Sequence, residues 1–490
     1  MKFEYSYPKY KIDLTADMLE QCATMGARLA GEVGLTIRHE KFLNALKGKP
    51  GIKIVGEKVY PDERLVRANI EKYRNNLRIN LLKQDKKPAA GDWKMSCGGF
   101  SMMVRDIETD EIRLATCQDL KDLIKLVNSY GIGGNYPVMP QDLPPLMRAL
   151  ACFKICWENS DNIRPYDYLH KSQTPFVYEM HEVIGKPFNL TLCMVQSMMV
   201  DENDIDIFLD FYPIWKKKRN VLFQVLDYPM LGITKPVTMT GSVIMYIAEL
   251  FSLHTIFKAF DPELELPVHC GAGIMTDLRN TCWAWGHPRQ HLFKYLNSRI
   301  RAGVANINRN WYVNEDTILE TGSSAIDEQC GIEKMATGLI AALQGARSFT
   351  QLGNMCVDDL FSGVQFIIDV ETVNYIRELV EAFNPTPDVI SLDDGTYQSL
   401  KDVCLGNDQF IACEDTVVKF RNIMPSSNLL VREKLRSWME HKKTLKDRAR
   451  EEASQRINNF KPTFHLPDDK QKALEDIYAR AEKALKDIKI

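Results

Sequence analysis

The chain has 490 residues, 45% of them hydrophobic and 26% charged, enough to bury at least one large core. Its 62 Lys and Arg against 65 Asp and Glu leave a net charge of -3, so no global attraction to nucleic acid or to an anionic membrane surface is expected. Twelve cysteines without a C-x-x-C pair read as thiols of a reducing compartment, with Cys152 and Cys156 one turn apart on a helix face. No apolar signal core follows Met1, and no later run is read as reaching the roughly 18 residues of a membrane span. The expectation is a cytoplasmic protein that contacts no membrane.

Apolar residues at helical spacing (Leu19, Ala23, Met25, Leu29, Val33) predict a helix that stops at Gly34, and a second helix resumes through Phe42, Leu43 and Leu46. Residues 52–60 alternate around Gly56-Glu57 as a hairpin does, and Pro61-Asp-Glu-Arg opens a helix running to about Leu82. The polar stretch 84–92, with Pro88 and Gly91, marks a break. A second hairpin joins 100–106 to 111–116 through a turn at Glu108-Thr-Asp110.

From Gln118 the pattern changes. Helices beginning near Asp119, Pro144, Thr174, Glu202, Gly241, Pro288, Gly331 and Glu371 alternate with apolar segments at 189–195, 221–226, 266–270, 311–319, 348–352 and 363–370. Such alternation over roughly 250 residues predicts an α/β protein with a parallel sheet, the size of a (β/α)8 TIM barrel. A doubly wound sheet is the alternative, with neither G-x-G-x-x-G nor G-x-x-x-x-G-K-[ST] to support it. Past residue 388 the chain turns polar and then helical, and 467–490 predicts a terminal helix with Leu474, Ile477, Ala481, Leu485 and Ile488 on one face. The expected organisation is an N-terminal α+β extension over 1–117, the barrel over 118–388 and a mostly helical C-terminal extension over 389–490.

Three polar stretches follow apolar segments. In the first, 228–253, a strand ends in a Pro/Gly/Thr-rich loop that offers the hydroxyls of Thr234, Thr238 and Thr240 and leads into a helix. The second runs from His269 to Pro288 and sets Trp283 and Trp285 on either side of one alanine. Two indoles so placed can face a cation or simply pack as core, and Tyr228 and Trp311 are further aromatic candidates. The third, 320–334, gathers Asp327, Glu328 and Glu333. Asp327 and Glu328 suit a helix N-terminus, whereas Gln329 and Glu333 need another explanation. His269, Cys270 and Cys330 lack ligand spacing, so no metal is assigned, and the absence of G-x-S-x-G argues against a serine hydrolase.

Together these stretches resemble the trimethylamine methyltransferase family. Gly232-Ile-Thr-Lys-Pro-Val-Thr-Met-Thr-Gly241, followed by Ala248-Glu249, is similar to that family's G-x-T-x-P-V-T-x-x-G and A-E. Asp327-Glu-Gln-Cys-Gly-Ile-Glu-Lys334 is similar to its D-x-Q-x-G-x-E-K, and Asp277-Leu-Arg279, Gly286-His-Pro288 and Asp369-Val-Glu371 to its D-x-R, G-x-P and D-x-E. Gly406 to Phe410, Thr416, Arg421, Pro425 and Leu445-Lys-Asp-Arg-Ala449 follow in the family's order. Two departures stand out. Residues 320–324 are ordinary where the archaeal trimethylamine enzymes carry pyrrolysine, which points to the non-pyrrolysine branch and its quaternary amines such as betaines. Arg289 replaces the family's glutamate after G-x-P.

The resemblance implies a barrel enzyme that moves a methyl group from a betaine-type quaternary amine to the cobalt(I) of a corrinoid (cobalamin). The corrinoid would be supplied by a cognate partner protein, with no cofactor bound covalently to this chain. A quaternary ammonium leaves as a neutral amine, so positioning and desolvation would be the enzyme's work. Trp283, Trp285 and Tyr228 are then expected to enclose the ammonium, and His269, Arg279 or Arg289 to bind a substrate carboxylate. Thr234 and Thr238 would line the floor with the catalytic candidates Asp327, Gln329 and Glu333. A homo-oligomer is expected. A methyltransferase acting on trimethylamine or a methoxylated compound, and a non-catalytic quaternary-ammonium-binding protein, remain open alternatives.

Overall fold

Parallel strand pairing runs through the middle of the chain in the computed structural model, which describes residues 15–83, 93–165, 169–194, 196–227, 229–264, 266–267, 273–304, 317–382, 393–406 and 409–488. Strand Phe188–Met194 pairs in parallel with Val221–Asp227 along its whole length. Side chains alternate across the pair as strand geometry requires. Phe188, Leu190, Leu192, Val221, Phe223 and Val225 are buried on one face, while Asn189, Thr191 and Gln224 occupy the other. There Gln224 Nε2 donates to Thr191 Oγ1 at 2.8 Å.

Helix Glu202–Lys218 makes the crossover between these two strands. Asp201 caps it by accepting from Asn203 N, Glu202 and Asp204 lie in its first turn, and Lys216, Lys217 and Lys218 close its last turn, so both ends suit the helix dipole. Its Phe208 ring packs 4.9 Å from Phe223. Asp204 accepts from Cys193 N at 2.5 Å, yet burial, aided by the Asp201 charge, pushes its carboxyl up to about 7. The native state therefore keeps a proton that the unfolded chain releases near pH 4, and stability falls as pH rises from about 4 to about 7. The melting-temperature advantage of Asp204→Asn over the parent is expected to grow between about pH 5 and about pH 8. Equal differences at both pH values in thermal unfolding would show that Asp204 does not titrate in this range.

Other parallel pairs extend the pattern. Lys94–Cys97 pairs with Gly133–Gly134 and with Ser348–Leu352, Ser348–Leu352 pairs with Thr317–Ile318, and Met230–Leu231 pairs with Ile274–Asp277. A parallel bridge joins Gly134 to Ile163. The two predicted hairpins form, Ile52–Val55 with Lys58–Pro61 and Met103–Arg105 with Ile112–Leu114. Strand Leu35–Ile37, absent from the sequence reading, pairs with Lys58–Pro61 and with Met199–Val200. The protein is thus mixed α/β, as expected. Of the predicted segments 266–270 and 311–319, strand is seen at Thr317–Ile318, and residues 268–272 and 305–316 lie outside the described residues.

Two expectations are corrected. Residues 363–370, read as an apolar strand, form the first half of helix Gly363–Glu381, capped by Ser362. Val364, Phe366, Ile367 and Val370 are all buried, and the polar pair Gln365 and Asp369, one turn apart, is buried with them, so no exposed polar face marks this part of the helix. The second concerns helix Met239–Phe260, which is long and apolar enough to cross a membrane. Most of it is instead buried within the fold. Helix Ala16–Val33 lies so close that a Cβ on Gly26 would come within 2.6 Å of Ile247 Cγ2.

The C-terminal helices wrap the outside. Leu445–Asn459, opened by a capping box of Thr444 and Asp447, buries Ala449 and Ala453 and packs on Gly363–Glu381. Asp468–Leu485 buries Leu474, Ile477, Ala481 and Leu485, as predicted, while Ile488 lies past its end and is exposed.

Candidate functional site

The N-terminal turns of helix Glu328–Leu343 are the meeting point of several loops. Asp327 is the N-cap: its Oδ1 accepts from Cys330 N and from Ser323 Oγ, both at 3.0 Å. Glu333 Oε2 accepts from Thr321 Oγ1 at 2.7 Å and Gly322 N at 2.9 Å, and its Oε1 accepts from Gln329 Nε2 at 3.0 Å. Both carboxylate oxygens are thus aimed by neighbours.

Backbone from the tryptophan loop lies directly on this carboxylate. Gly286 has φ +79°, and a Cβ there would sit 2.5 Å from Glu333 Oε2. Trp283 and Trp285 stack with centroids 5.8 Å apart and planes 24° from parallel. Trp285 is 5% exposed, and its Nε1 has no hydrogen-bond partner among the described residues. Gly286 thus joins the tryptophan loop to the cluster of Thr321, Gln329 and Glu333.

A strained hairpin closes another side. Asn354–Met355 pairs with Leu360–Ser362 through a turn in which Cys356 has φ +48° and Val357 φ +66°. A β-branched residue in the left-handed region is costly and persists only when its surroundings enforce it. Here Cys356 N donates to Ser323 O at 2.8 Å and Val357 N to Thr321 O at 3.1 Å, tying the turn to the loop that holds Glu333. Underneath, Lys334 Nζ meets Asp369 Oδ2 at 2.6 Å with both side chains buried, and Asp369 also accepts from Gly353 N and Gln365 Nε2.

Glu320, on the loop after strand Thr317–Ile318, is 1% exposed. Its Oε1 lies 2.8 Å from Lys294 Nζ, while Oε2 has no hydrogen-bond partner among the described residues. Burial raises this carboxyl, opposed by the Lys294 charge and the nearby Gly286 N–H.

The threonine-rich loop is pinned from below. Lys235 is buried between the carboxylates of Asp227, at 2.9 Å, and Glu249, whose Oε1 accepts from Met198 N. Burial lowers the Lys235 amine and raises the Asp227 carboxyl. Thr234 Oγ1 accepts from Met230 N, and Thr238 is the exposed N-cap residue of Met239–Phe260.

The structure brings together Trp283, Trp285, Asp327, Gln329 and Glu333, and holds Thr234 and Thr238 in local turn and cap positions. Arg279 is 90% exposed and engages Asp277 through two nitrogens, holding that carboxyl at about 2. Arg289 is exposed, its N–H donating to His287 Nδ1. Tyr228, His269, Cys270 and Trp311 lie outside the described residues. Among those described, no group of three or more His, Cys, Asp or Glu is arranged to hold a metal. Sequence reasoning passed over Glu320, Lys294 and the ion pairs of Lys235 and Lys334. The signal for Lys235, Glu249, Lys334 and Asp369 was their place in the quoted motifs, whose separate pieces pair with one another.

The family model of Trimethylamine methyltransferase (MTTB) matches residues 3–486. The trimethylamine methyltransferase MttB2 of Methanosarcina mazei is 25% identical over 254 residues, which cover 51% of this chain and 47% of that protein. The trimethylamine methyltransferase MttB of Methanosarcina thermophila is 25% identical over 256 residues, 51% of this chain and 48% of its own. That of Methanosarcina barkeri is 24% identical over 239 residues, 48% and 44% of the two chains. The matched part thus spans about half the length of these relatives.

Proposed function

Because this chain belongs to the trimethylamine methyltransferase family, we propose that it moves a methyl group from a betaine-type quaternary amine to the cobalt(I) of a cognate corrinoid protein. The observation that carries this reading is the stacked Trp283 and Trp285 pair on a loop whose next residue, Gly286, packs on the anchored Glu333 carboxylate. Indole faces attract cations by about 0.5–2 kcal/mol each when water is excluded. An oriented carboxylate beside them suits a positively charged methylated nitrogen.

The corrinoid, when its protein docks, supplies the nucleophile. This chain's own groups bind, orient and exclude water. The stack presents its faces to the ammonium, Glu333 is held in one direction by Thr321, Gly322 and Gln329, and Asp327 fixes the helix from which Gln329 and Glu333 project. A quaternary nitrogen leaves as a neutral amine without a proton donor, so alignment is the main demand. Trimethylamine, on which the named relatives act, is the second reading.

The proposal places this site at the mouth of a (β/α)8 barrel. The pairing of Ser348–Leu352 back to Lys94–Cys97 supports a barrel whose first strand precedes residue 118, with a helical extension from 389 onward. It also takes the working form to be a cytoplasmic homo-oligomer, a setting that suits the eleven free cysteines among the described residues.

Incubation with reduced corrinoid protein and a panel of betaines, trimethylamine and methoxylated compounds tests the activity. Methylcobalamin absorbance is expected to appear with a quaternary amine. Binding of such an amine without any cobalt methylation would overturn the enzyme reading in favour of a binding protein.

A further inference from the structure

We propose that Glu320 is the anionic pole of the substrate pocket, with its Oε2 reserved for the positive head of the methylated amine. The inference rests on the cation-binding reading above and names the group that recognises the charge.

Glu320 and Glu333 are both linked to the Gly286 turn, but they are satisfied in opposite ways. Glu333 spends both oxygens on Thr321, Gly322 and Gln329. Glu320 spends one on Lys294, has the Gly286 N–H nearby, and leaves Oε2 without a hydrogen-bond partner among the described residues at 1% exposure. Buried carboxylate oxygens ordinarily accept hydrogen bonds, so a free one needs a reason. A quaternary ammonium supplies it. Such a head has no N–H to donate and meets an oxygen through methyl C–H groups and charge, a contact that a hydrogen-bond donor already in place would block.

The local charge agrees. Lys294 pairs with Glu320, Glu333 has no ion-pair partner among the described residues, and His291, one turn before Lys294, is kept neutral by burial, the Lys294 charge and His287, which push its imidazole down to about 4. One further cation balances the set. The Lys294 contact also holds the Glu320 carboxylate in place before the amine arrives.

This role has a kinetic signature. Positive charge leaves the nitrogen as the methyl group departs, so Glu320 favours the bound cation more than the transition state. Its loss raises KM without lowering kcat.

The test uses the full chain and a matched pair of probes, choline and its uncharged carbon analogue 3,3-dimethylbutan-1-ol, followed by tryptophan fluorescence. Glu320→Gln is expected to weaken choline about tenfold and leave the neutral analogue unchanged, because the carboxylate's attraction is removed and the Lys294 ammonium is left unpaired beside the cation. Glu320→Asp keeps the charge and is expected to keep the preference for choline, which guards against a fold made unstable by the amide. If wild type prefers choline and Glu320→Gln binds both probes as wild type does, or weakens both equally, the role of Glu320 is overturned. If wild type shows no preference for choline, the cation-binding reading itself falls.

Discussion

Lys334→Met is expected to destabilise the protein by about 3–5 kcal/mol, because it strands a charged Asp369 in the interior. The two side chains are 1% and 0% exposed and 2.6 Å apart, so water cannot take the place of the lost ammonium. Asp369 would keep Gly353 N and Gln365 Nε2, which soften the loss but do not neutralise the charge. Chemical denaturation of the variant checks the shift in midpoint. Lys334→Met combined with Asp369→Leu is expected to recover much of the loss, since the penalty comes from the unpaired charge. A single variant as stable as the parent would show that Asp369 takes up a proton or reaches solvent.

Gly286→Ala is expected to cut methyl transfer about a hundredfold while leaving most of the stability intact, the scale that a displacement of about 1 Å has at a reacting centre. Two effects act at this position. At φ +79° an alanine is strained, and its Cβ would fall 2.5 Å from Glu333 Oε2, so either the carboxylate or the tryptophan turn moves. Glu333 cannot move alone, because Thr321, Gly322 and Gln329 hold it. Steady-state assay with the reduced corrinoid protein reads the loss, and thermal unfolding separates it from misfolding. Unchanged activity would place the reaction away from the Gly286–Glu333 contact.

Much of the fold was legible where periodicity was strong. The strand, loop and helix over 221–253 and both hairpins follow from alternation and turn residues alone. Leu35–Ile37 escaped because three residues carry too little pattern, and Lys94–Cys97 because its short sequence adjoins a polar break. The 363–370 segment was misread because its polar pair, Gln365 and Asp369, is buried among apolar residues and leaves a mostly apolar run that resembles a strand.

The site divides in the same way. Trp283, Trp285, Asp327 and Glu333 were visible as residues of suitable chemistry near one another in sequence or motif. Glu320 was not, since its meaning depends on a lysine from a helix and on an oxygen left without a donor among the described residues. Arg279 was read as a cation for a substrate carboxylate, and the sequence did not show that it pairs with the carboxylate two residues earlier.

The pairing of Lys94–Cys97 with Ser348–Leu352 also bears on how the molecule is made. An early strand whose neighbour is synthesised about 250 residues later keeps an unpaired edge through much of translation, and closing so long a loop is slow. The emerging chain must stay apart from its copies until residue 352 has left the ribosome, which makes this seam a step exposed to aggregation and to dependence on chaperones.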